Sequence, residues 1–256
     1  DQDQRIDIEF PKMRREVTPH VVRHAELSGQ QGGVVLYSRL DEANAEAVIR
    51  AQIRHFEGIG QDFEWKVYDY DRPVDLKERL RSLGFVIEEA EAIMVLSLAE
   101  APPTLWEPIA HDVRRLSDAQ ELAPVIEIHQ QVWDEDFSWL KDYLGEALRE
   151  YPEQMSVYVA YIGGQPASSA WVYFPKHSQF ASLWGGSTLS GFRKQGLYTA
   201  LLAVRAQEAR ARGLRYLTVD ASPMSRPILE KFGFEMIAYS WPCKWTLKQG
   251  KSSAAP

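Results

Sequence analysis

The segment TLSGFRKQGLYT, Thr188 to Thr199, decides how this chain is read. It follows an apolar run, QFASLWGGSTL, with the character of a strand. It opens a helical pattern from about Gly196 to Arg212, which Gly213 stops. The first turn of a helix carries amides without intrahelical partners and the positive end of the helix dipole. Gly196 lets backbone close on a bulky anion with no Cβ in the way, and Arg193 and Lys194 add positive charge. Such a turn can hold a pyrophosphate. On these residues alone, an ordinary strand-to-helix turn with solvated basic side chains is the better reading.

The residues just upstream change that balance. Gly185-Gly186 interrupts a strand otherwise suited to a central position, and glycine inside a strand marks a bulge or a close backbone approach. A bulge there splays the strand from its neighbour and opens a slot for an extended, amide-bearing ligand. The competing reading is a kinked strand and nothing more.

Outward from this segment, the C-terminal part reads as a strand near Val113 to Leu116 and a helix from about Asp118 to Val132. A loop at Trp133 to Phe137 and a second helix to about Arg149 follow. MSVYVAYI and PASSAWVYF flank the turn residues Gly163 to Pro166 as a hairpin. After the central helix come a short strand LRYLTVD, a helix from Pro223 to Phe232 ended by Gly233, and closing strands FEMIAYS and CKWTLK. The N-terminal part reads β-α-β-α-β: strand VVLYSRL, helix Asp41 to Glu57 with an apolar stripe at Ala45, Val48, Ile49, Ile53 and Phe56, strand FEWKVYDYD, helix from Pro73 to Gly84, and one or two strands in VIEEAEAIMVLSL. Ahead of these, Thr18 with Pro19 reads as the start of a short helix. AEAPPTLWEP, at 99–108, breaks every period and reads as a linker. This predicts domains at 1–103 and 104–248, with a disordered polar tail at 249–256. A weak repeat joins the halves: a strand leads to Asp71 and a helix ends in Gly84-Phe85, as a strand leads to Asp220 and a helix ends in Gly233-Phe234. Duplication and chance matching of a common pattern are even readings of it.

Composition limits the function classes. With 256 residues, 45% hydrophobic and 25% charged, the chain has the make-up of a soluble globular protein. No run approaches the roughly 20 apolar residues of a membrane helix. A net charge of −7 argues against a general nucleic-acid binder, and the basic residues Lys12, Arg14 and Arg15 read as a solvated surface. A single cysteine, Cys243, and the absence of an apolar leader point to the cytoplasm. The six histidines lack zinc-ligand spacing, so no metal site is expected; His20 and His24 share a helix face only as surface residues. No G-x-S-x-G hydrolase signature is present. An oligomer is compatible with the sequence.

With these motifs in place, the C-terminal half resembles the GNAT superfamily of N-acetyltransferases. The family's pyrophosphate loop reads R/Q-x-x-G-x-G/A; Arg193-Lys-Gln-Gly196-Leu-Tyr198 matches all but the last position, where Tyr198 replaces a small residue. The family's helix ending in a "GF" pair appears as Ile228-Leu-Glu-Lys-Phe-Gly-Phe234. The resemblance implies an α/β fold of tandem GNAT-like domains, each a central mixed sheet flanked by helices. The bulged strand would lie at the cofactor slot, and the N-terminal half would be a degenerate copy. It implies acetyl-CoA as cosubstrate, with Gly186, Ser187 and Thr188 on the strand that pairs with pantetheine. Arg193, Lys194, Gln195, Gly196, Leu197, Tyr198 and Thr199 would wrap the pyrophosphate, and Ser222 would stand where many members place an Asn.

The chemistry implied is acetyl transfer to a primary amine of a small molecule or peptide, with a bulge amide polarising the thioester carbonyl. A protonated amine must lose its proton before it attacks. The family's Tyr general acid has no counterpart, because Leu229 stands there, and Ser225, Ser222 and Tyr239 are the candidates to replace it. The bulged strand offers no carboxylate, so the base is sought at Asp134, Glu135, Asp136 or Asp220. Ser225, Asp220 and Glu135 are the catalytic candidates carried forward. The acids beside Trp133, Phe137 and Trp139 suggest a cationic acceptor, or simply a solvated loop over buried aromatics. The alternative function is a non-catalytic acyl-CoA-binding or regulatory module. Aminoacyl transfer from tRNA is disfavoured by the acidic balance.

Overall fold

In this computed structural model, residues 2–7, 12–27 and 32–247 are described. The tail expected at 249–256 lies outside them. The chain runs through α1 (Gln2–Asp7), β1 (Met13–Val17), β2 (Val21–Glu26), β3 (Gly33–Ser38), α2 (Ala45–Gly58), β4 (Phe63–Tyr68), α3 (Leu76–Ser82), β5 (Val86–Ile87) and β6 (Glu91–Ser97). A 3-10 turn at Pro103–Leu105 leads to β7 (Asp112–Leu116), α4 (Ala123–Trp133), α5 (Trp139–Glu150), β8 (Met155–Ile162), β9 (Gln165–Tyr173) and β10 (Phe180–Thr188). Then come α6 (Leu197–Ala211), β11 (Tyr216–Ala221), α7 (Arg226–Lys231) and β12 (Glu235–Trp245).

Two compact units result, and they do not divide at 103/104. The first holds the described residues up to Glu91 together with the chain from Ala238; the second is Ala92–Ile237. The reason is strand pairing. In the first unit β12 runs antiparallel to β4 from Ser240↔Tyr68 to Trp245↔Phe63, while in the second β6 runs antiparallel to β11 from Ser97↔Tyr216 to Ala92↔Ala221. The proline-rich stretch read as a linker sits inside the second unit. Leu105 is fully buried, and Gln207 Nε2 donates to the carbonyls of Leu105 and Glu107, each at 2.9 Å.

The first unit's sheet follows the order β1-β2-β3-β4-β12, with β5 against β12. The stripe predicted on α2 is its core contact: Ala45, Ile49 and Phe56 are buried, and the Phe56 ring stacks on Phe63 at 4.2 Å. Burying one such side chain contributes about 1.5–3 kcal/mol. The second unit's sheet follows β6-β11-β10-β9-β8-β7, with α4 and α5 packing Val125, Ile128, Leu140 and Leu144 into its core. Each unit carries one parallel pair joined through a helix. β3 and β4 are joined by α2, β10 and β11 by α6, and the other pairs within each unit's sheet are, among the described residues, antiparallel. This is the mixed, helix-flanked sheet of the predicted fold class, built twice.

Three local expectations fail for identifiable reasons. Thr18 and Pro19 form the tight turn between β1 and β2, not a helix. The Thr18 hydroxyl donates to Val21 O and accepts from Val21 N, both at 3.0 Å, which closes the hairpin. His20 and His24 therefore share no helix face, and His24 is buried on β2. FEMIAYS and CKWTLK form one strand, β12, through Pro242. Its backbone stays extended there, and its carbonyl accepts from Glu88 N at 2.9 Å.

Candidate active site

The slot in the second unit begins where two parallel strands part. Registered pairs between β10 and β11 run from Phe180↔Tyr216 to Ser182↔Thr218 and stop there. On its other edge β10 stays paired with β9, but its register jumps between Trp184↔Trp171 and Ser187↔Ser169. Gly185 and Gly186 are thus set against the single residue Ala170, which is the predicted bulge. Gly185 is glycine by necessity: its φ is +61°, and an added Cβ would lie 1.9 Å from Trp171 Cζ3. Gly186 lies beside the ring of Tyr198, whose Cε2 would sit 3.6 Å from an added Cβ. The Tyr198 side chain thus turns toward the bulge. Burial raises its phenol pKa, against a smaller opposing pull from Arg205, so it stays neutral.

Groups from both faces of the sheet hold the bulge. From α4, His129 Nε2 lies 3.1 Å from Gly185 O, and Trp133 Nε1 donates to Ser187 Oγ at 3.1 Å. A carbonyl can only accept, so Nε2 carries the imidazole proton. Burial pushes the His129 pKa down to about 4, with the Gly185 hydrogen bond opposing, and the ring is therefore neutral at pH 7. From α6, buried Arg205 donates to Leu201 O at 2.8 Å, Trp171 O at 3.2 Å and Trp184 O at 3.5 Å. Burial lowers its pKa to about 10, so the guanidinium keeps its charge at pH 7.

The side chains of Ser187 and Thr188 are already used. Ser168 Oγ lies 2.7 Å from both Ser187 O and Thr188 Oγ1. A hydroxyl has one proton, so Ser168 donates to the carbonyl and accepts from Thr188. Backbone, not side chain, is what these two residues leave available.

Beyond Thr188 the chain makes a 3-10 turn at Ser190–Phe192 and enters α6 through Gly196, at φ +81°. Among the described residues no side chain caps this helix, and its first turn holds no acid, so its leading amides are open to an anion. Arg193 is exposed, with Nε 3.3 Å from Thr188 O; Lys194 adopts φ +61°, and Gln195 Nε2 donates to Gly191 O at 3.3 Å. His111, from the segment before β7, packs on this loop. Its Nε2 lies 2.8 Å from Gln195 O, and its Cε1 would be 3.1 Å from a Cβ at Gly196. Leu197 is buried beneath the loop, and Thr199 is half-buried in the first turn.

The candidates for proton transfer come from separate elements. Asp220 lies on β11, opposite Ile93. Ser222 and Ser225 form the turn into α7, their hydroxyls 3.3 Å apart and Ser225 Oγ donating to Ser222 O at 3.2 Å. Glu135 is exposed in the loop between α4 and α5. Its neighbour Asp134 ends α4 at φ +54°. Asp136 accepts from Ser138 N at 2.9 Å and Ser138 Oγ at 3.1 Å, bonds that hold its carboxyl below the usual range and commit it to the start of α5. Leu229 is fully buried.

Among the groups that shape this site, His111, His129, Trp171 and Arg205 were not singled out by sequence reasoning, and Trp133 entered only as an aromatic neighbour of the loop acids. The sequence reading ends the helix at Val132 and puts Trp133 in a loop, so the face that His129 and Trp133 share, four residues apart on α4, was not visible in it. What that face meets is 56 and 54 residues further along the chain.

Residues 122–234 match the sequence model of the Acetyltransferase (GNAT) family. No curated protein matches the chain by sequence. Among solved structures, it is similar to a GCN5-related N-acetyltransferase from Kribbella flavida: TM-score 0.67, 15% identity, 91% of this chain and 89% of that one covered. It is also similar to a tandem GNAT protein from the clavulanic acid biosynthesis pathway: TM-score 0.60, 13% identity, 94% and 85% covered. A third is a GCN5-related N-acetyltransferase from Sphaerobacter thermophilus: TM-score 0.60, 12% identity, 90% and 78% covered. At these identities the likeness is one of fold.

Proposed function

We propose, from the premise that residues 122–234 are a GNAT-family acetyltransferase domain, that this protein transfers an acetyl group from acetyl-CoA to a primary amine of a small molecule or peptide. The observation that carries the reading is the uncapped N-terminus of α6, headed by Gly196, at the end of the strand that parts from β11. The first unit supplies an internal contrast. There the helix after the parting strand, α2, is preceded by Asp41, whose carboxylate accepts from Ala43 N at 2.9 Å and Asn44 N at 2.8 Å. An acid at that helix start repels an anion, and the first unit is read as the copy that lost its phosphate site.

In the second unit the leading amides of α6, with Arg193 and Lys194 nearby, would take the pyrophosphate. The backbone of Gly186, Ser187 and Thr188 would run beside the pantetheine. Neutral His129 keeps the Gly185 carbonyl engaged, which fixes the peptide plane and leaves the next amide, Gly186 N–H, as the donor to polarise the thioester carbonyl. The attacking amine gives up a proton, the C–N bond forms as the C–S bond breaks, and the departing thiolate takes up a proton. Asp220 and Glu135 are the carboxylates proposed for the first transfer and Ser225 for the last.

A second reading, acyl-CoA binding without turnover, is favoured by one observation. Leu229, where the resemblance calls for a Tyr acid, is fully buried and has no proton to give. Release of free CoA thiol from acetyl-CoA across a panel of polyamines, amino sugars and peptide N-termini separates the two. Amine-dependent release supports transfer. Tight acetyl-CoA binding with no release on any amine supports the second reading.

A further inference from the structure

The first unit also contains a parting strand pair, and its mouth is filled. Registered pairs between β3 and β4 stop at Val35↔Trp65, so Leu36 and Tyr37 on β3 and Tyr68 on β4 lie past the last pair. Arg5, from α1, is buried there with 5% of its surface exposed. Its guanidinium carbon lies 3.9 Å from the Tyr68 ring centroid, 5.1 Å from Tyr70 and 5.5 Å from Tyr37. Nη1 donates to Leu36 O at 3.1 Å, and Nη2 pairs with Asp71 Oδ1 at 3.3 Å. The other Asp71 oxygen accepts from Tyr68 N at 2.9 Å, which aims the carboxylate.

This is a receptor for a planar cation. Three aromatic faces, a carbonyl and an oriented buried carboxylate suit a guanidinium, which stacks and forks, better than a compact, strongly hydrated ammonium. Arg5 fills it imperfectly, since its Nε is buried without a hydrogen-bond partner among the described residues. Without a cation in the cage Asp71 would be a buried, uncompensated acid. Burial already raises its pKa despite the pull of Arg5.

We propose that the mouth of the β3–β4 splay is a guanidinium-binding site, occupied by the chain's own Arg5, for which a free alkylguanidinium competes. A tethered side chain acts at an effective concentration in the millimolar range. Free ligand must therefore work against Arg5 in the wild type, and Arg5→Ala removes that competition.

Agmatine is the probe, and cadaverine, a dication of similar length with an ammonium in place of the guanidinium, is the control at matched ionic strength. Thermal unfolding of the full chain is followed against ligand concentration. Arg5→Ala is expected to melt below the wild type and to be stabilised by agmatine, with a midpoint at least tenfold lower than any wild-type response. Cadaverine is expected to be at least tenfold less effective. If Arg5→Ala does not fold alone, agmatine should restore its folding. Arg5→Lys, which keeps a cation in the cage, should respond between the two. Adding Tyr68→Leu to Arg5→Ala should abolish the agmatine response. Equal agmatine responses in wild type and both Arg5 variants, no response in any of them, or equal effects of agmatine and cadaverine would overturn the proposal.

Discussion

His129 was one of six scattered histidines in the sequence, and in the structure it is the titratable side chain that touches the bulge carbonyl. Its folded pKa, about 4, lies below the ordinary histidine value because burial disfavours the charged ring. The sign follows. The folded state resists protonation more than the unfolded state does, so stability is full above about pH 6.5 and falls as pH drops toward 4. Across that window the penalty reaches about 3 kcal/mol, at about 1.4 kcal/mol per pKa unit. His129→Gln, whose amide can donate to Gly185 O without titrating, should lose that part of the acid sensitivity in denaturant melts between pH 7 and 4. An unchanged slope would mean that the ring is charged or solvated in the folded protein. Nothing in the local sequence marked this residue, because its environment comes from β9 and β10.

At the scale of elements, the bulge in β10 separates two adjacent glycines with different duties. Gly185→Ala must carry a side chain at φ +61° and drive a Cβ into the Trp171 ring. Left-handed backbone costs about 1–2 kcal/mol and overpacking about 1–3 kcal/mol, so a loss of about 2–5 kcal/mol is expected. Gly186→Ala meets only an ordinary contact with Tyr198, at 3.6 Å, and should stay within about 1 kcal/mol of the wild type. Urea unfolding of the two variants checks the contrast, and equal losses would relocate the bulge. The double glycine, the α6 start and the stripe on α2 were legible because each is a local pattern: a strand interrupted, a helix opened, a period of 3.6. Thr18-Pro19 and Pro242 misled because proline and threonine serve helix starts and tight turns alike, and because an edge-tolerant proline need not end a strand. The brace of His129, Trp133 and Arg205 was out of reach for a different reason. It joins elements far apart in sequence and has no signature in either one.

For the whole molecule, the units interleave: β6 precedes the proline-rich stretch yet completes the second unit's sheet, and the end of β12 belongs to the first. Composition suggested a cut at 103/104, but pairing partners, not linker residues, set the division. A fragment of 104–248 loses β6 and bares the edge of β11 from Tyr216 to Ala221. Unpaired edges aggregate, so this fragment should be insoluble or melt without a cooperative transition, whereas the chain to 248 melts cooperatively. A cooperative melt for the fragment would show that β6 is dispensable. That α6 and the parted strands hold an acyl-CoA is tested by calorimetric titration of acetyl-CoA into the wild type and Gly196→Trp, with melting curves to confirm that the variant is folded. Saturable one-site binding to the wild type is expected, and none to the folded variant, whose indole would fill the cradle beside His111. No heat from acetyl-CoA or CoA with the wild type, or equal binding by the variant, would contradict it.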